Sequence, residues 1–315
     1  MAQAESGAMR AKGSANEPGL PFKEQTLKVA YTALGTAGML MAAAKIAFPA
    51  QVLALDFPGT AITAELCRAQ RVLGGALLPG VAAAFVLRDA AERKELDTGD
   101  ALRLNIGLVA FGVGVANSLT RIPVGVILDS KANALGLVSS AASIIVGCIG
   151  ASAAFTSKHR STNKGVADGK AALLSFIKPK NASSLLYGVF SIIFGYAALS
   201  TFRQPSAPPN LSIPFVYTGV GASVLLELLM ASGTLVAPLA ALTLKAASDK
   251  GQLSSRRAKL LNGGILGVAA GFGVTMVEGM VTLGAFPTPI LVRVGIWAVV
   301  GVTSGLNLFK GKKRD

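Results

Sequence analysis

The chain has 315 residues, of which 52% are hydrophobic and 15% charged, and its mean hydropathy is +0.57. Soluble domains carry about 25% charged residues spread along the chain, whereas here the charges gather between long apolar runs, so the composition points to a bilayer. The net charge of +14 comes with no nucleic-acid-binding motif, which argues against a nucleic-acid partner. The single histidine, His159, and two distant cysteines, Cys67 and Cys148, exclude a Ser-His-Asp triad or a His/Cys metal cluster. The expectation is a protein that is not an enzyme and holds no metal, with both thiols buried and inert.

Residues 1–26 form a polar tail that mixes both charge signs and lacks the apolar core and cleavage site of a secretory signal. A helix needs about 20 apolar residues to cross the hydrocarbon core. Eight runs reach or approach that length, at 27–48, 62–87, 103–123, 133–155, 183–203, 216–243, 259–283 and 288–309. The predicted fold is therefore all-α: a polytopic membrane protein with about eight transmembrane helices. Its expected organisation is the tail, a four-helix unit over 27–156, a basic linker over 157–181, a second four-helix unit over 182–309 and a basic tail over 310–315. Within the linker, 171–177 is expected on the membrane surface.

Eight spans put both termini and the even-numbered connections on one side, and basic residues provide an independent check. That side collects 23 of the 30 lysines and arginines, with clusters around Arg93, Lys158 to Lys180, Arg256 and Lys310 to Arg314. The other side holds six, Arg68, Arg71, Arg121, Lys131, Arg203 and Arg293, and Lys45 lies near the end of the first span. The positive-inside rule then predicts both termini in the cytosol, matrix or stroma, with an organelle inner membrane or thylakoid as a candidate location. Connections on the sparsely charged side are short and proline-rich, as at Phe48-Pro49, Phe57-Pro58, Ile122-Pro123, 205–214 and Phe286-Pro287-Thr288-Pro289. Proline stops a helix and permits a tight reversal.

The halves resemble each other. Tyr31 and Pro49 are spaced like Tyr187 and Pro205; Leu104-Asn105-Ile106-Gly107 answers Leu261-Asn262-Gly263-Gly264. Phe111-Gly112-Val113 with Asn117 is matched to Phe272-Gly273-Val274 with Glu278, and Glu65-Leu66 to Glu227-Leu228, at offsets of 156 to 162 residues. Four spans per half give the halves one orientation, as parallel repeats about an axis along the membrane normal.

The stretch from Gly38 through Lys45 to Pro49, then Glu65-Leu66 and Leu73-Gly74-Gly75-Ala76-Leu77-Leu78, resembles the DoxX-like superfamily of four-helix membrane proteins. The run from Glu227 through Gly233 and Pro238 to Leu242 is similar in the second half. The likeness covers about the first two helices of each half and implies a tandem of four-helix units. It implies no single function, because family members range from subunits beside membrane oxidoreductases to trafficking factors. Lys45 has no lysine counterpart, since Thr201 falls at its place with Arg203 two residues on.

Ionisable groups at membrane depth cost about 2.5 to 3.5 kcal/mol on insertion scales, so each needs a partner or a role. Lys45 and Glu65 are expected at one depth and to form an ion pair, with Arg68 as the competing partner for Glu65. Glu227 and Glu278 lie inside spans six and seven; Glu278, matched to Asn117, is read as a hydrogen-bonding or ligand position. Gly267-x-x-x-Gly271 and Gly301-x-x-x-Gly305 are expected to let helices approach closely.

Three functions remain open at this point. One is a non-enzymatic subunit or assembly scaffold of a larger, photosynthetic or respiratory membrane complex, with other membrane subunits and membrane lipids as partners. Another is a carrier for a small solute, lipid or ion, using the intramembrane glutamates. The third is an accessory subunit binding a pigment or quinone, with Glu278 and Asn117 as candidate ligands.

Overall fold

A computed structural model describes residues 22–123, 125–156, 179–203, 221–284 and 286–309. The tail before Phe22, most of the linker with His159 and 171–177, the proline-rich segment 205–214 and the C-terminal tail lie outside the described residues. Every regular element among the described residues is a helix: α1 Phe22–Ala47, α2 Pro49–Asp56, α3 Ala64–Glu92, α4 Gly99–Thr120, α5 Ser130–Thr156, α6 Ala182–Arg203, α7 Gly221–Thr234, α8 Val236–Asp249, α9 Arg256–Leu283 and α10 Thr288–Phe309. Taking α7 and α8 as one span, Gly221–Asp249, eight helices among the described residues are long and apolar enough to cross a membrane. The chain is an all-α polytopic membrane protein.

Local chemistry sets the helix limits. Pro49 ends the first span and opens α2, where its missing N–H leaves nothing unsatisfied. Thr63, Thr98 and Ser255 cap α3, α4 and α9 by accepting from the backbone N–H groups of Leu66, Ala101 and Ala258. At the turns after α3 and α8, Lys94 and Gly251 take left-handed backbone (φ 57° and 68°), and the N–H groups of Glu95 and Gln252 return to the carbonyls of Ala90 and Ala247.

The packing is reciprocal. In the first half α1 lies on α3 and α4 on α5; in the second, α6 lies on α7 and α8, and α9 on α10. Between halves, α3 packs on α9 while α4 packs on α7 and α8, and α3 and α7 meet at the centre. The most buried spans are accordingly α3 and α7–α8.

Glycine contacts fix the register between halves. A Cβ on Gly264 would lie 2.9 Å from Ala82 and 3.1 Å from Pro79 Cα; one on Gly107 would lie 3.5 Å from Leu239 and 3.6 Å from Val236 Cα. Gly271 approaches Gly75 as Gly114 approaches Ser232, and Gly301 faces Ala269 as Gly112 faces Ile144. Each of these contacts pairs with its counterpart at a constant offset of 157 residues. In that register Glu278 corresponds to Arg121 rather than Asn117, and Glu227 to Gln70 rather than Glu65. The matches expected from Phe-Gly-Val and Glu-Leu are thus displaced by four and five residues; the first shift turns the helix by only about 40° and keeps nearly the same face, whereas the second turns it by about 140° onto another face.

Gly267 and Gly271 do form a close crossing, on α3 beside Leu78 and Gly75. Gly301 makes ordinary contact with Ala269, whereas a Cβ on Gly305 would meet nothing within 4 Å. Cys67 is half-buried and Cys148 exposed, so the expectation of two buried thiols is corrected. Cys148 stands on an outer face of α5.

Candidate functional site

At the end of the bundle formed by the close of α1 and the start of α3, polar side chains gather around α2. Lys45 Nζ donates to Asp56 Oδ2 at 3.2 Å, and Gln70 Nε2 reaches the same oxygen at 3.3 Å. The expected Lys45–Glu65 pair does not form. Glu65 instead accepts from Arg68 Nη2 at 3.4 Å, one turn along α3, while Arg68 Nη1 donates to Thr282 of α9 at 3.3 Å. The short helix α2 returns Asp56 to Lys45, and Asp56 takes the place expected for Glu65 as its partner.

Glu278 also has a cation: Arg71 Nη1 donates to its Oε2 at 3.2 Å across the α3–α9 seam. Both side chains are only half-buried, at 43% and 42% exposure, so this carboxylate is not the isolated buried acid that its sequence neighbours suggest. Asn117 lies on α4, which packs on α5, α7 and α8 rather than on α9. The structure therefore does not bring Asn117 and Glu278 together.

Glu227 is different. It is 7% exposed on α7, and its Oε2 has no hydrogen-bond partner among the described residues. Eight residues later the span is interrupted at Leu235, whose N–H is shared between the carbonyls of Ala231 and Ser232. Pro238, lacking an N–H, leaves the Thr234 carbonyl without its helical donor. In α3, Pro79 sits inside a helix that continues unbroken.

The other end of the bundle holds groups that no single motif announces. Arg257 donates to Asp89 and to Glu95 at 2.5 Å each, closing the α3–α9 seam opposite Arg71–Glu278. Lys245, 2% exposed, is not in a connection but inside α8, paired with Asp249 at 2.9 Å. Deeper in, Tyr31 donates to Asn105 Oδ1 at 2.6 Å and Tyr187 to Asn262 Oδ1 at 2.5 Å, while each amide donates back to its own helix, at Ala101 and Ala258. All four side chains are fully buried. The recurrence of Tyr and Asn at matched places was the available signal for these pairs, and it served only as a repeat marker.

Among the described residues no group of three or more His, Cys, Asp or Glu side chains is placed to hold a metal ion. The charged residues mostly tie one helix to the next: Lys45 to the α2 connection, Arg71 and Arg257 across the seam. Comparison with known proteins finds no family model and no curated sequence that matches the chain.

Proposed function

We propose that the chain is a non-enzymatic integral membrane subunit or assembly scaffold of a larger membrane complex. The observation that carries this reading is that Lys45, Glu65 and Glu278 each end in an ion pair that joins or braces helices, leaving them unavailable for chemistry at a shared site. The open space at Gly305 on α10 fits the approach of a helix from another subunit. The basic excess at one end of the bundle supports an orientation with both termini on the cytosolic, matrix or stromal side, and an energy-transducing organelle membrane is the setting we favour. Extraction from the native membrane in mild detergent tests the proposal. The chain should migrate in an assembly well above its own 32.0 kDa, and migration as a lone monomer would overturn it.

One observation favours a second reading, a carrier for a small solute or ion. Glu227 is a buried carboxylate with a free oxygen on an interrupted span, and carriers build their sites on such interrupted helices. Proteoliposome flux abolished by Glu227→Gln would support it; flux indifferent to that change would remove the site.

A further inference from the structure

A groove of about 680 Å³ opens between α1, α3, α9 and α10. Its walls are apolar, with Met39 of α1 and Leu78, Val81 and Phe85 of α3. Arg256, Lys259 and Ser254 line its other end. From Arg256 to Gly264 the groove follows α9 for eight residues, about 12 Å at the helical rise. A Cβ on Gly263 would meet nothing within 4 Å, so the absent side chain is what leaves the groove open there.

We propose that this groove binds one anionic phospholipid, its acyl chain along α3 and its phosphate held by Arg256 and Lys259. Three residues apart on α9, the two cations share a face. A guanidinium matches two phosphate oxygens at once, and Lys259 adds a second charge. Among the described residues neither is in an ion pair, whereas Arg257 between them turns to Asp89 and Glu95. The groove thus presents two uncompensated charges where a headgroup would sit against an apolar channel.

The other half supplies an internal control. At the 157-residue offset Arg256, Lys259 and Ser254 become Gly99, Leu102 and Asp97, and Gly263 becomes Ile106. Ile106 stands 47% exposed on α4. The same scaffold therefore carries, at the matching place, a branched side chain and an acid, and its cation there, Arg103 at the position of Leu260, is held by Asp100 at 2.8 Å. The fold does not require the cationic groove, so its chemistry belongs to the second-half sequence.

Native mass spectrometry of the full chain in detergent, titrated with phosphatidylglycerol and with phosphatidylcholine of the same acyl composition, tests this. The wild type should retain one phosphatidylglycerol about tenfold more tightly, since each cation favours a net negative headgroup and phosphatidylcholine carries its own compensating charge. R256G/K259L, which installs the first-half residues, should bring the two lipids level. G263I should weaken both, and K250L, which removes a cation outside the groove, should change neither. Equal retention of the two lipids by the wild type overturns the proposal, as does a K250L effect matching the double substitution or a G263I protein that binds normally. If the double variant does not fold, R256Q and K259Q singly should each lose part of the preference, and a preference unchanged in both overturns the proposal equally.

Discussion

The two halves share one packing scheme and differ in how they satisfy the same buried position. In the first half, the Tyr31 hydroxyl donates to Asn105, and Gly150 on α5 stands so close that a side chain there would collide with both. In the second half, the residue matching Gly150 is Asn307, whose amide donates to the Tyr187 hydroxyl at 3.0 Å. One half closes the site by removing a side chain and the other by adding a hydrogen bond. A buried polar group in a membrane interior needs a partner, and a repeated fold leaves each copy free to find its own.

Exchanging residues between halves should break this comparison most sharply. Gly150→Asn imports the second-half residue into a space already filled by Tyr31 and Asn105, and should cost about 3 kcal/mol by overpacking, read as a fall in thermal stability in detergent. Wild-type stability in that variant would show the two sites to be interchangeable after all.

The next contrast is between the ends of the seam. Arg257 donates to two carboxylates, whereas Arg71 meets one acid with both side chains over two-fifths exposed. Arg257→Ala should lower stability by about 2 kcal/mol, because it leaves two carboxylates short of a partner. Arg71→Ala should cost less than about 1 kcal/mol. Parallel detergent melts of the two variants compare them directly, and equal losses would contradict the asymmetry.

Smaller again is the effect of removing each hydroxyl. Tyr187→Phe strands groups on Asn262 and Asn307, while Tyr31→Phe strands one on Asn105 alone. The expected losses are about 1 kcal/mol and about half that, in line with hydrogen bonds measured between membrane helices. The smallest change is local: Pro238→Ala should slow amide exchange around Leu235, while Pro79→Ala, in a helix that already runs through, should leave exchange along α3 unaltered.

Much of the architecture was legible in the sequence, because the bilayer imposes a length rule that eight apolar runs meet, and all eight helices fall within several residues of their expected limits. The α7–α8 interruption was not, since Pro79 and Pro238 occupy comparable apolar contexts and only tertiary packing separates a continuous helix from a broken one. The partner of Lys45 was missed because depth in a span fixes height but not azimuth, and Asp56 enters from a connection whose path composition does not describe. Arg71 lies 207 residues from Glu278, beyond any local pattern. The repeat was visible, yet its register slipped near Glu227 and Glu278: at Glu278 a shift of four residues presents nearly the same face, and at Glu227 a Glu-Leu pair is too short to fix a register in an apolar span.

The α3–α9 seam, closed by Gly75 and Gly271 at its centre and by arginines at both ends, also sets an order in time. While the ribosome has made only the first half, α3 shows its glycine face to lipid and Asp89 has Arg93 for company but not Arg257. The first four helices are therefore an unfinished surface until α9 is threaded into the membrane. Completion of that seam waits on the seventh span, and a chain truncated before it would leave the membrane holding an exposed groove rather than a smaller version of the same protein.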